Sequence, residues 1–471
     1  MQIKLILSAI ENDPLRKKDP FMPLSLAILA GSAPEHSYKF TDMLWDSIDI
    51  DYDEEVDIVG ISVRMSAEKI AFEIADEFRK RKVKVVMGGP QVSVNPFESL
   101  KHADAVAIGE GEKLWPEIVK NIKNNELKDF YVCSPLKFDS KGHSVFQLQE
   151  LPSLENLPKP RRELFRRNYT FEMVFASRGC PINCDFCSVS RIFGSKYRLR
   201  PIDEVVNEIS DFQKYYYLID DTVFGRNNTY DYYIELYDKI AKIKDKNYWI
   251  GQANLNAAAS DKGRKVIKKA AEAGMIYAAI GMESINRDVL KKSGSFSKMG
   301  LKNNDDVLEK MKENIRFIQD QGILISGWFT IGYDDDDEKT YYSTLKFCEE
   351  MNIIPVFTPV HALKGTDLYD RLKLENKLTD NHTNVTNVKH PTLTNRQVID
   401  ANVYVVKKGF EFTQVLKRSW FFMSKLRKQK SNSVGDIIHK TIFALITQIN
   451  MGKITRGEVN KMKNKIKDNE Q

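Results

Sequence analysis

The chain lacks the features that announce a membrane or secreted protein. Nowhere in its 471 residues do eighteen apolar residues run together, which removes the usual signature of a spanning helix. The opening "MQIKLILSAIEN" is an apolar run that soon meets charge, with no small-residue cleavage site. It is expected to be the first β-strand of a cytoplasmic protein and not a signal peptide. Cysteine is scarce and odd in number: Cys133, Cys180, Cys184, Cys187 and Cys348. Such a set makes a poor disulfide framework, and in a reducing compartment it points to metal or redox chemistry. Histidine is also sparse, and none stands between His143 and His361. The cysteines at 180–187 therefore have no imidazole close by in sequence.

What remains is globular in composition, at 42% hydrophobic and 29% charged, and long enough for two or three domains. The net charge of +6 is unevenly spread: residues 401–471 hold 15 Lys and Arg against 5 Asp and Glu. The basicity belongs to that tail and says little about the rest.

Residues 1–130 alternate apolar runs of strand length ("IKLILS", "VDIVGISV", "VKVVMGGP", "ADAVAIGEGE") with helical periodicity, as in "SAEKIAFEIADEFRKR". This is the α/β pattern of a parallel sheet covered on both faces. Ligands of such sheets sit at the carboxyl ends of strands. Here those ends carry Ser62, Arg64, Met65, Gly88, Gly89, Gln91, Gly109 and Glu110, and glycines there allow close backbone approach to a ligand. Residues 131–170 are polar and proline-bearing and are expected to form a surface linker. Over residues 171–375 six further β/α units suggest a partial or full barrel. Asp220, Asp221, Gln252, Asn254, Glu283, Thr330 and His361 fall at its strand ends. Residues 376–471 are expected to be helical, basic and peripheral.

"FASRGCPINCDFCSVS" carries the chemistry. Its spacing is Cys180-x3-Cys184-x2-Cys187, among residues typical of a polar turn. Thiolates bind zinc or iron–sulfur clusters. Structural zinc wants four closed ligands, and counting alone leaves open that Cys133 or Cys348 arrives from afar. Three cysteines on one loop suit a [4Fe–4S] cluster with one iron left open to a ligand.

With an aromatic, Phe186, before the last cysteine, this stretch resembles the signature of the radical SAM superfamily. The resemblance implies that Cys180, Cys184 and Cys187 hold three irons and that S-adenosylmethionine chelates the fourth. It further implies that one electron cleaves the sulfonium to a 5′-deoxyadenosyl radical. Phe186, Asp220, Asp221, Gln252, Glu283 and Ser284 would contact S-adenosylmethionine, and His361 would lie on the substrate side. The front segments "VDIVGIS" and "VVMGGPQVSVNPFESLKHADAVAIGEGEKLWPEIVKN", with "SRIFGSKYRLRPIDEVVNEI", are similar to the cobalamin-binding-domain branch that includes hopanoid methylases and the anaerobic magnesium-protoporphyrin cyclase. That implies a Rossmann-like cobalamin-binding domain, a partial (β/α)6 radical SAM barrel, and a helical C-terminal domain. It also implies a one-electron donor such as flavodoxin or ferredoxin.

The chain departs from the branch at Gln91, where a histidine is common, at bulky Arg64 and Met65, and at His361, which replaces an apolar position. It also lacks the D-x-H-x-x-G motif. The expected outcome is methylation of an unactivated carbon through methylcobalamin, on a small-molecule, lipid or peptide substrate. The alternative is a radical oxidoreductase, cyclase or carbon–carbon coupling enzyme whose front domain is empty or repurposed. Cys133 and Cys348 read as buried thiols. The tail "KKGFEFTQVLKRSWFFMSKLRKQK" is expected to pack its aromatics and present a solvated basic face. Contact with an anionic membrane surface is the second reading. Nucleic acid is the weakest, for want of a recognisable binding module.

Overall fold

The computed structural model describes residues 1–138, 144–146, 150–165, 169–213, 215–244, 247–379, 386–429 and 432–467. Two units divide the chain. The first comprises Met1–Met173, Ser177–Pro181 and Ser188–Arg200; the second comprises Val174–Ala176, Ile182–Cys187 and Pro201–Gln471.

The apolar runs of the first unit form strands β1 (Gln2–Leu7), β3 (Ile58–Ser62), β4 (Lys84–Gly88) and β5 (Ala105–Gly109), joined by β2 (Ser37–Asp42) and β6 (Phe130–Cys133). The sheet order is β2-β1-β3-β4-β5-β6, and every neighbouring pair is parallel. Side chains alternate between two apolar cores, one on each face. Val59, Ile61, Val85 and Met87 pack with Ile74 and Phe78. Leu5, Ile58 and Val86 pack with Trp115 and Ile118. Within the segment expected to be a linker, β6 completes the sheet, and β7 (Leu136–Phe138) pairs antiparallel with β8 (Ser144–Phe146).

The next strands are β9 (Phe171–Val174), β10 (Ser177–Arg178), β11 (Arg198–Leu199), β12 (Tyr215–Leu218), β13 (Trp249–Ala253), β14 (Met275–Glu283), β15 (Leu324–Ile331) and β16 (Ile354–Pro359). β10 and β11 make a short antiparallel ribbon. The others form a six-stranded sheet of order β16-β15-β14-β13-β12-β9, with β12 to β16 running parallel. One face of it is sealed by helices: Leu218, Trp249, Ile280, Ile325 and Phe329 pack with Tyr237, Ile267, Ile315 and Leu345.

The C-terminal segment forms helices Asn395–Gly409, Phe412–Arg427 and Val434–Lys467. The tail differs from the expected split of packed aromatics and solvated cations. Arg418 is 2% exposed, whereas Phe412 and Trp420 are 70% and 67% exposed. Helical spacing is the reason: residues four apart share a face, so Phe412, Leu416 and Trp420 line up away from Val415, Phe422 and Leu426. Burial depresses the Arg418 guanidinium to about 10, and it is satisfied by donating to Gln448 Oε1 and Gly409 O, each at 2.6 Å. Val434, Ile438, Ile442, Ile446 and Ile449 make an exposed stripe on the last helix. Among the described residues, no helix is long and apolar enough to cross a membrane.

Candidate active site

The cysteine loop is shaped by its backbone. Gly179 has φ +88°, and a Cβ there would sit 2.3 Å from Lys196 O, so only glycine fits. Within the first unit, the Cys180 N–H donates to Gly194 O at 3.1 Å. Within the second, Cys187 N–H donates to Cys184 O at 3.1 Å, and Asp185 N–H donates to Ser293 O at 2.9 Å. Gly294 presses on the same turn: its missing Cβ would be 2.6 Å from Asn183 O and 3.6 Å from Cys184 Cα. Phe186 packs against Val289, Val360 and Leu368. Burial pushes Asp185 up to about 6 although Tyr333 donates its hydroxyl to it at 3.1 Å.

Among the described residues, no three His, Cys, Asp or Glu side chains converge as ligands of one ion. Cys133 is pushed up to about 11 by burial and by Glu110, and Cys348 is raised by burial in its helix. Of the two thiols expected to be buried, Cys348 is buried and Cys133 is half-buried.

A buried ion network holds the ribbon ahead of Cys180. Glu110 follows β5, and its carboxylate takes Arg178 Nη1 at 3.2 Å and the Arg198 guanidinium in a two-point grip. Glu112 pairs with Arg178 as well. Glu110 is thus engaged by the protein's own arginines. Its side chain is wholly buried and spent on the two arginines of β10 and β11.

Gly89 and Gly109 are required by the protein's own backbone, whatever ligand the strand ends take. A Cβ on Gly89 would be 2.9 Å from Val63 N, and one on Gly109 would be 2.0 Å from Cys133 O. Arg64 is held by Asp13 at 2.9 Å, with its N–H donating to Ser8 Oγ. Gln91 donates to Glu68 Oε1 at 2.7 Å, and Met65 packs with Val94, Leu136 and Ile192. What stays partly open is a row across β3, β4 and β5 made of Ser62, Gly88 and Ala107. A Cβ on Gly88 would make only ordinary contact with Ala107, at 3.5 Å. Small side chains at the carboxyl end of a parallel sheet form a shelf that suits a large flat ligand.

In the second unit, alternation sorts the predicted acids. Asp220 is only 1% exposed and accepts from Ala176 N–H and Tyr233 O–H, both at 2.7 Å. It braces the core through these two bonds. Asp221 faces the other way and is half-buried. Burial, then the charge of Asp220, push it up to about 7 against the pull of Lys298. The folded state thus holds this proton more tightly than the unfolded chain. Ionisation is a cost present above about pH 7 and relieved toward pH 4, so this contribution to stability falls as pH rises. Asp221→Asn is expected to raise the melting temperature, with a gain that grows from pH 5 to pH 8. Equal gains at both would refute burial as the cause.

Glu283 has φ +59°, and Ser284 N–H reaches back to Met282 O at 2.7 Å. That is a tight three-residue turn on a non-glycine, a strained arrangement of the kind found at functional sites. Lys298 forms an ion pair with Glu283, and Thr330 Oγ1 donates to its other oxygen at 3.2 Å. Gly281 makes room for this: a Cβ there would lie 2.5 Å from both Lys298 Nζ and Glu283 Oε1. Burial opposes the Lys298 charge, but Glu283, Cys184 and Cys187 outweigh it and hold the ammonium above its ordinary range. Ser284 Oγ accepts from Asn286 N–H at 3.0 Å. Gln252 is exposed, and Asn254 is buried, donating to Thr222 Oγ1 at 3.0 Å. His361 is exposed, just past β16. The side chains that line the strand ends without being locked into the core are thus Asp221, Gln252, the Glu283–Lys298 pair and Thr330. Polar, partly charged groups of this kind suit a zwitterionic ligand such as S-adenosylmethionine.

The radical SAM superfamily model matches residues 158–348, and the B12 binding domain model matches residues 18–119. The chain is a radical SAM protein with a B12-binding domain. Bacteriochlorophyllide d C-8(2)-methyltransferase of Chlorobaculum tepidum is 26% identical over 372 residues, which is 76% of this chain and 78% of that protein. Hopanoid C-2 methylase of Rhodopseudomonas palustris is 23% identical over 406 residues, 84% of this chain and 72% of the methylase. The solved cobalamin-dependent S-adenosylmethionine radical enzyme OxsB shares the fold, with TM-score 0.66, 16% identity and coverage of 100% of this chain and 80% of OxsB. A radical SAM domain implies a [4Fe–4S] cluster, S-adenosylmethionine and a source of single electrons.

In the radical SAM domain, sequence reasoning missed Lys298 and Tyr333, and in the ribbon beside it Arg178 and Arg198. Each acts through a partner tens of residues away. The one local signal was Gly281, two residues before Glu283.

Proposed function

We propose that this chain is a cobalamin-dependent radical SAM methyltransferase acting on an unactivated carbon. The observation that carries this is the presence in one chain of a three-thiol loop and an open shelf of Ser62, Gly88 and Ala107 at the carboxyl end of a parallel sheet. Relatives named as methyltransferases support it. When bound, the cluster and S-adenosylmethionine supply a 5′-deoxyadenosyl radical, and cobalamin carries the methyl group. The protein's part is to hold three irons through Cys180, Cys184 and Cys187 and to place Asp221, Gln252 and Glu283 along the S-adenosylmethionine seat. Lys298 holds Glu283 in place through their ion pair. The second reading, a radical cyclase or oxidoreductase with the front domain empty, is favoured by Arg64 and Gln91. Both are tied to acidic partners at the strand ends.

The test is anaerobic purification, reconstitution with iron and sulfide, and addition of hydroxocobalamin. The expected result is stoichiometric cobalamin with release of 5′-deoxyadenosine and S-adenosylhomocysteine. Deoxyadenosine without cobalamin binding overturns the first reading in favour of the second. No deoxyadenosine from a fully loaded cluster overturns both.

A further inference from the structure

On β15 the side chains alternate between a sealed face and an open one. Gly327 faces the sealed side, where a Cβ would meet Ile353 and Phe329 at 2.9 Å. Ser326, Trp328 and Thr330 therefore share the open side. Trp328 is 40% exposed there, the one exposed large apolar side chain among the described residues of the six-stranded sheet. A tryptophan left open on so well packed a sheet forgoes a large burial gain.

The ring is nevertheless held still. Its indole N–H donates to Ser326 Oγ at 2.9 Å, and Ser326 Oγ shares a 2.6 Å hydrogen bond with the Tyr277 hydroxyl. Its register partner on β14 is Gly281, and Ser326 pairs with Ala279. The neighbouring strand thus presents nothing larger than a methyl group at those two positions. One strand further, exposed Gln252 stands in register with Ala279. The result is a fixed, partly exposed aromatic plate, with the Glu283–Lys298 pair in the room that Gly281 leaves beside it.

We infer that this wall binds the methyl-accepting substrate as a planar conjugated ring system, stacked on Trp328. The inference rests on the methyl-transfer reading. Aromatic pairs gain affinity beyond their buried area, a gain that a saturated polycycle cannot collect. A plate whose rotamer is already fixed also loses little freedom on binding. Trp328 is a specificity-determining residue in this view.

The test uses the full chain with its cluster reconstituted and S-adenosylhomocysteine at saturation, so that adenine, itself a planar ring, has taken its own seat. Binding of mesoporphyrin IX, indole and deoxycholate is measured by equilibrium dialysis. At least one of the two conjugated probes is expected to bind saturably. Trp328→Ala should weaken it about tenfold, whereas Trp328→Phe should cost under about threefold because the ring face is kept. Deoxycholate should be indifferent to both. Melting temperature and iron content are checked on each variant, since an exposed side chain should be dispensable for folding. Four outcomes overturn the inference: neither conjugated probe binds; Trp328→Ala leaves ring binding unchanged; deoxycholate is the probe that the variant loses; or ring binding vanishes when S-adenosylhomocysteine is added. Cobalamin content and 5′-deoxyadenosine release on the same preparation report separately on the methyl-transfer reading. Their loss with ring binding intact would sink that reading alone.

Discussion

Cys184→Ala is expected to leave the chain folded and without its cluster. Iron after reconstitution should fall from about four per chain to near zero, and 5′-deoxyadenosine release should fall by about a thousandfold or more. Cys184 is buried, and the loop around it is held by backbone bonds from Asp185 to Ser293 and from Leu368 to Asp185. Those contacts survive the substitution, so the loss should be chemical and not a collapse of the turn. Cys348→Ala is the control. That thiol is fully buried and held protonated, and its removal should keep both iron and activity. An intact iron count in Cys184→Ala would end the assignment of this residue as a ligand.

Glu110→Ala should produce the largest loss of stability in the first unit. The carboxylate is wholly buried between Arg178 and Arg198. Deleting one partner of a buried ion network costs roughly 3–5 kcal/mol, because the partners stay buried with their charge uncompensated. Arg178 keeps Glu112, but among the described residues Arg198 keeps only the carbonyls of Pro152 and Phe193. A scanning calorimeter should see the first-unit transition drop by several degrees. Iron incorporation should fall too, since the loosened ribbon leads directly into Cys180. A Glu110→Ala transition matching the wild type would show that the network holds nothing.

The parts of the fold legible in sequence were those decided by local pattern. β3, β4 and β5 are buried on both faces, and such strands read as unbroken apolar runs. The helix Glu68–Lys80 shows its period because only one side is buried. β2 escaped because an edge strand, "SYKFTD", mixes polar and apolar residues without a run. In the site, the thiol spacing was legible because it lies within eight residues. Asp220 and Asp221 were not separable, because adjacent residues on a strand end point to opposite faces and only the register decides which one meets the core. The glycines at 89 and 109 were ambiguous for a related reason. A glycine reports that something comes close, and here that something is the neighbouring strand's own backbone.

The interleaving of the two units bears on how such proteins can be recombined. The matched B12-binding segment, 18–119, carries Glu110 and Glu112 but leaves behind their arginines at 178 and 198. It also omits β1, which lies between β2 and β3 in the sheet. A chimera that swapped only that segment between relatives would import two acids without their bases and a sheet without one of its inner strands. The heritable module is therefore discontinuous, and the acids after β5 and the arginines of the ribbon are expected to be exchanged together or not at all.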